Sequence, residues 1–117
     1  MYNPEYDRTE KAGRTIRVIQ INLNNCRDAQ DLAMHTADKR KCDVMIISEP
    51  HRTERKANWV VSNDRKAAIV VLNPELVITR VKRGVGFAAA DVNGTYVVSA
   101  YASPNERVER LKSCSTM

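Results

Sequence analysis

The chain has 117 residues, room for one modest domain and no more. Its hydrophobic content of 43% argues against wholesale disorder, and no stretch is long and apolar enough to span a bilayer. A formal net charge of +5 suits a polyanionic partner without selecting one. Three cysteines, Cys26, Cys42 and Cys114, are odd in number and lack paired spacing. That argues against a disulfide framework and for a reducing, intracellular setting, nuclear or cytoplasmic. Cys26, His35, Cys42 and His51 do not have the spacing of a zinc ribbon or finger.

Residues 1–15 are polar, carry Pro4 and Gly13, and show no apolar period. They read as a flexible arm and not as a signal peptide. Residues 16–22 follow as a strand rich in β-branched side chains. Asn24 or Asn25 is placed to cap a helix, with Asp28 and Asp31 in its first turns. Ala29, Leu32, Ala33, Thr36 and Ala37 recur at three- and four-residue spacing and predict its buried face. Lys39, Arg40 and Lys41 suit the negative end of the helix dipole. His35 lies beside the apolar face and reads as partly exposed.

Val44, Met45, Ile46 and Ile47 form a second apolar run that ends at Ser48-Glu49-Pro50-His51. Two near-continuous apolar strands joined by a helix predict a parallel pair, buried on both faces. A right-handed crossover brings both C-terminal ends to one edge of the sheet. Asn22, Asn24 and Glu49 then meet where α/β proteins usually bind ligands. Beyond a basic loop at 51–56, short apolar runs are predicted as strands at 59–62, 67–72, 76–81, 85–92 and 96–102. Turn residues separate them, among them Asn93-Gly94, the strongest hairpin signal in the chain. The expected arrangement is an antiparallel meander attached to the leading pair, with 67–72 as a central strand. Ser103-Pro104-Asn105 is a last turn, after which Asn105 is placed to cap a short helix. The strands at 59–102 hold more apolar residues than one short helix covers, so an exposed apolar sheet face is expected.

A carboxylate just past a buried strand, as Glu49 is, stays accessible on a rigid element, which is what a hard cation such as Mg²⁺ needs. Asn22 and Asn24 share one side of an extended chain. Their amides suit a phosphate, a metal-bound water or the carboxylate itself, and equally a plain turn and helix cap. Tyr101 closes another strand, where a phenol can donate to a phosphoryl oxygen or simply pack.

Taken together, Gln20-x-Asn22-Leu23-Asn24-Asn25, then Ile47-Ser48-Glu49-Pro50-His51, then Ser99-Ala100-Tyr101-x-Ser103-Pro104-Asn105 resemble the endonuclease/exonuclease/phosphatase superfamily. The sequence is most similar to the apurinic-endonuclease-like domains at the front of insect-type non-LTR retrotransposon polyproteins. Arg65-Lys66-Ala67-Ala68-Ile69 and Gly86-Phe87 fit the same layout. The resemblance runs over about 16–111. It implies an α/β fold, half of a two-sheet (DNase I-like) sandwich with a mixed sheet and flanking helices. It implies Glu49 as the ligand of Mg²⁺ or Mn²⁺, with Asn22 supporting metal and phosphate. Asn24 would lie beside the scissile phosphate, Tyr101 at the phosphate, and Asn105 on its oxygens. DNA is the implied partner, contacted also by Arg52, Arg55 and Lys56, with no membrane. In a full-length relative a reverse transcriptase domain shares the chain.

The family completes its site with a Gly-Asp-Phe-Asn-like segment and a terminal Ser-Asp-His, and neither occurs here. The expected organisation is an arm at 1–15, a truncated domain at 16–112 and a tail at 113–117. The second sheet of the sandwich is expected to be missing. The function implied is the N-terminal portion of a Mg²⁺-dependent endonuclease that nicks DNA for retrotransposon insertion, inactive as it stands. The alternatives are a phosphomonoesterase of the same superfamily and a non-catalytic nucleic-acid-binding remnant. Several cations in the 51–56 loop favour a polyanion over a small ester.

Overall fold

A computed structural model describes residues 15–102. The first strand, β1 (Val18–Asn22), leads into a helix, α1 (Arg27–Lys39), and then β2 (Val44–Ser48). The two strands pair in parallel, Val18 opposite Val44 and Asn22 opposite Ser48. Asn24 and Asn25 turn the chain between strand and helix in the left-handed region, at φ 50° and 60°. Asparagine tolerates that region better than most residues. Because both are spent on the turn, the helix cap falls to Cys26, whose sulfur accepts from the Ala29 N–H at 3.4 Å. Asp28 lies in the first turn and Lys39 in the last, as the helix dipole favours.

The buried stripe of α1 differs from the expected one. Ala33 and Ala37 are buried, but the third buried residue is Gln30, while Leu32 is 65% exposed. Ala33 and Ala37 share a core with Met45 and Ile47 of the second strand, and Gln30 takes the third buried place on the helix.

β3 (Trp59–Val61) and β4 (Ala67–Val71) complete a four-stranded mixed sheet A in the order β1-β2-β4-β3. β4 is buried at every position, the mark of a strand covered on both faces and the central strand that its composition predicts. α1 covers one side of sheet A, where Leu23, Ala33, Ala37, Met45, Ile47, Trp59, Ala68 and Val70 form one core.

The other side is covered by the remaining strands, and this corrects two expectations. β5 (Ile78–Gly84), β6 (Phe87–Val92) and β7 (Thr95–Ala100) do not extend sheet A as a meander. They form a separate antiparallel sheet B, so the second layer of the sandwich is present. The physical reason lies in β4: it is apolar on both faces and needs a second covering layer. Ala88, Ala90, Val92 and Val97 of sheet B pack on Val44, Val60, Ile69 and Val71 of sheet A. The expected turn at Arg83-Gly84 moves to Val85-Gly86, where Gly86 supplies φ +81°. The Asn93-Gly94 hairpin forms as expected, with both residues at positive φ and Val92 opposite Thr95. Among the described residues α1 is the one helix, where flanking helices were expected. None is long and apolar enough to cross a membrane. The turn at 103–105 and the helix expected after it lie outside the described residues.

Candidate active site at the strand ends

The end of sheet A carrying Asn22 and Glu49 is stitched together through its backbone. The Leu23 N–H donates to the Ser48 carbonyl at 2.9 Å, and the Asn25 N–H to the Glu49 carbonyl at 2.8 Å. The Glu49 N–H in turn donates to the Lys66 carbonyl at 2.8 Å, in the β3–β4 turn. Glu49 is therefore held from both sides, and it sits in the left-handed region at φ 52°. For a residue other than glycine such a backbone costs on the order of 1–3 kcal/mol and tends to mark functional positions. The carboxylate itself is half-buried and has no hydrogen-bond or ion-pair partner among the described residues.

Asn22 Oδ1 accepts from the Asn24 N–H at 2.8 Å. This local turn fixes the Asn22 amide while leaving its NH₂ group directed elsewhere. Asn24 is exposed at the same end. Asn22 also lines a cleft of about 310 Å³ between the sheets, together with Gln20, Ser48 and Ser99. Ser99 is buried and its hydroxyl donates to the Ile47 carbonyl at 2.9 Å, tying β7 to β2 two residues before Glu49.

Tyr101 reaches the same end by another route. Its N–H donates to the Gly86 carbonyl at 2.7 Å, and the Lys66 ammonium lies 5.8 Å from its ring centroid. Lys66 thus stands between Glu49, through its carbonyl, and Tyr101, through its side chain. Sequence reasoning did not single out Lys66 as a charge at the site; its position in a turn after Arg65 gave no such signal.

Asp64 locks this end. Its Oδ1 accepts from the Ser62 hydroxyl at 2.7 Å, the Gly86 N–H at 3.1 Å and the Lys66 N–H at 3.2 Å. The Ser62 hydrogen bond first, and then those backbone N–H groups, hold its carboxyl below the usual carboxylate range. The turns of both sheets are joined through this one side chain.

The basic loop is better fixed than its sequence suggests. Gln30 Oε1 accepts from the His51 N–H at 2.7 Å and the Arg52 N–H at 3.2 Å, and its Nε2 donates to the Arg52 carbonyl at 3.0 Å. A buried helix amide therefore pins the backbone just after Glu49-Pro50. Of the loop cations, Arg52 lies 4.0 Å from Asp31 and 3.7 Å from Glu54, and Lys56 lies 3.9 Å from Glu54. Arg55 has no acidic partner among the described residues. These exposed pairs are loose and leave most of the loop's charge available. His51 and His35 are both exposed, His35 on α1. Burial pushes the Cys42 thiol up, so Cys42 acts as a packing residue beside α1. No three His, Cys, Asp or Glu side chains cluster as metal ligands among the described residues. Asn105 lies outside them.

No protein-family model matches the chain, and no curated protein does. A solved structure, the endonuclease domain of TRAS1, a telomere-specific non-LTR retrotransposon, superposes with a TM-score of 0.62 at 23% identity. The match covers 77% of this chain and 46% of that one. The chain has part of that endonuclease fold. It spans about half the length of the domain it matches. Two features described above belong to the shared architecture: the α/β mixed sheet A and the antiparallel sheet B against it.

Proposed function

We propose that this chain is the N-terminal portion of a metal-dependent endonuclease domain of the kind found in non-LTR retrotransposons, and that it carries one side of a phosphodiester-cleaving site. The observation that supports this most is the parallel pairing of β1 and β2. It sets Asn22 beside Ser48-Glu49 at the C-terminal edge of a sheet whose fold an endonuclease domain shares. Glu49 is a single carboxylate on a rigid element with no internal partner. Mg²⁺ often takes one or two carboxylates and keeps several waters, so the donor set of Glu49 with the Asn22 amide fits Mg²⁺ or Mn²⁺. A cation held there would stabilise charge on the phosphate.

The chain's own residues have the complementary tasks. Glu49 holds the cation, and Asn22 and Asn24 orient phosphate oxygens. Tyr101 donates its hydroxyl to the phosphate, and Asn105 binds further oxygens. Arg52, Arg55 and Lys56 track the DNA backbone, with Lys66 adding charge between Glu49 and Tyr101. Several cations spread over two loops suit a polyanion better than a small phosphate ester. In a full-length relative a reverse transcriptase domain would follow on the same chain and use the nick.

The chain as given is expected to bind DNA without cleaving it. In-line attack needs a group within roughly 3 Å of the proton it removes from water. Among the described residues no group of three His, Cys, Asp or Glu side chains forms, and the Glu49 carboxylate makes no hydrogen bond or ion pair to an aspartate or histidine. Lacking a base costs about 10²- to 10⁴-fold. The test combines Mn²⁺ binding by electron paramagnetic resonance with nicking of supercoiled plasmid in Mg²⁺ or Mn²⁺. Wild type is expected to bind Mn²⁺ and Glu49→Ala to lose it, with neither nicking. Metal-dependent nicking that vanishes in Glu49→Ala would keep the endonuclease reading and overturn the inactivity. Mn²⁺ binding indifferent to Glu49, with DNA binding insensitive to salt and to reversal of Arg52 and Arg55, would overturn the site.

A further inference from the structure

The outer face of sheet B carries a second charged surface, unconnected with Glu49. β5 presents Arg80 and Lys82 there, both exposed. Neither has an ion-pair or hydrogen-bond partner through its side chain among the described residues. Pairing between β5 and β6 is interrupted between Thr79 and Lys82, and Arg80 sits at φ 53° in that irregularity. The bulge re-aims Arg80 and Val81, and bulges commonly serve that purpose. Arg80, Val81, Lys82 and Tyr96 line a shallow cleft of about 410 Å³. Tyr96 on β7 is 52% exposed, and Val98 of the same strand and Phe87 of β6 also stand exposed. Asp91 is registered opposite Tyr96, with its Oδ1 accepting from the Gly94 N–H at 2.7 Å.

An exposed aromatic ring walled by cations is what stacked bases with a phosphate backbone require. A duplex hides its base faces and gains little from such a ring. Apart from the Tyr96 hydroxyl, no side chain lining the cleft accepts a hydrogen bond, so a ribose 2′-hydroxyl finds little there to donate to. We propose that the outer face of sheet B binds single-stranded DNA without sequence preference, a base stacking on Tyr96 while Arg80 and Lys82 hold phosphates. This surface faces away from sheet A and acts independently of the Glu49 site.

The experiment is fluorescence anisotropy of the 117-residue chain with a labelled dT oligomer, an rU oligomer of equal length and a blunt duplex. Tyr96→Ala is expected to weaken dT binding by about ten-fold, and Tyr96→Phe, which keeps the ring, to retain it. Lys82→Glu is expected to weaken dT binding and flatten its salt dependence by about 0.7 in log–log slope, because one fewer phosphate is neutralised. Asp91→Asn is expected to tighten it. Reversal of Arg52 and Arg55 is expected to lower duplex affinity and leave dT binding unchanged, which separates this surface from the nuclease reading. All three positions on sheet B are at least partly exposed, and circular dichroism verifies the fold of each variant. Unchanged dT affinity in Tyr96→Ala, tighter binding to rU than to dT, or loss of dT binding on reversing Arg52 and Arg55 would each overturn the proposal.

Discussion

Glu49 through its backbone and Asp64 through its side chain fix the end of the sheets. Glu49 keeps a left-handed backbone that glycine adopts freely and other residues do not. Two variants that both remove the carboxylate therefore separate strain from function. Glu49→Gly is expected to be more stable than Glu49→Ala by about 1 kcal/mol, while both lose cation binding. Denaturant unfolding measures this, and equal stability would show that Glu49 is not strained. Asp64 has a carboxyl lowered by the Ser62 hydrogen bond and by backbone N–H groups. A depressed folded value means that its contribution is fully present above the ordinary carboxylate range. It is lost as pH falls through the folded value. Asp64→Asn is expected to lower the melting temperature at pH 7 and to narrow its gap to wild type as pH falls below the ordinary carboxylate range, where wild-type Asp64 gains protons. A gap that does not change with pH would assign Asp64 a role other than a charged acceptor. The placement of Glu49 and Asn22 at one edge of sheet A was legible in the sequence because each ends an apolar run. Asp64 was legible only as a turn residue, since its partners Ser62 and Gly86 come from two different sheets.

Between elements, the decisive contact is the one Gln30 makes from α1 to the loop after β2. Periodicity selected Leu32 for the buried face because hydropathy patterns rank leucine above glutamine. The structure buries Gln30 because two backbone N–H groups and one carbonyl at residues 51 and 52 need partners there. No sequence pattern announces such a long-range amide clamp. Gln30→Leu fits the helix face but strands those groups, at a cost of about 1–3 kcal/mol. Amide hydrogen exchange is expected to speed up at His51 and Arg52 and to stay unchanged in β4. Unaltered protection at those two amides would show that Pro50 and the β3–β4 turn hold the loop alone. The split into two sheets was hidden for a related reason. The strand runs and the Asn93-Gly94 hairpin are local signals, and β1, α1, β2, β4 and that hairpin all formed. β1 is nevertheless exposed on one face where burial on both was expected, and the cap and buried face of α1 differ from the reading. Whether β5 continues sheet A or crosses to a second layer depends on what covers β4, and that is a property of the assembled sandwich.

At the scale of the molecule, sheet B is set to one side of sheet A. It packs over β2, β4 and β3. The face of β1 carrying Val18, Gln20 and Asn22 is left exposed beside the cleft, with Val18 at 47%. β1 and β7 are also edge strands of their sheets among the described residues. An edge presents unsatisfied N–H and carbonyl groups, and an apolar residue beside it adds burial to any strand that pairs there. Natural edges are usually blunted by charge, proline or a bulge. β1 reads Val-Ile-Gln-Ile-Asn and has none of these devices. The chain is therefore expected to self-associate as its concentration rises, through β1 pairing with a second copy. Val18→Lys places a charge where a paired strand would bury it, and Val18 is exposed enough that the fold should tolerate the change. Sedimentation velocity over a concentration series is expected to show wild type shifting toward larger species and Val18→Lys remaining monomeric. Wild type is also expected to bind a hydrophobic dye more strongly. A wild-type chain that stays monomeric at every concentration and binds no dye would show that the open edge of β1 is covered from within the chain.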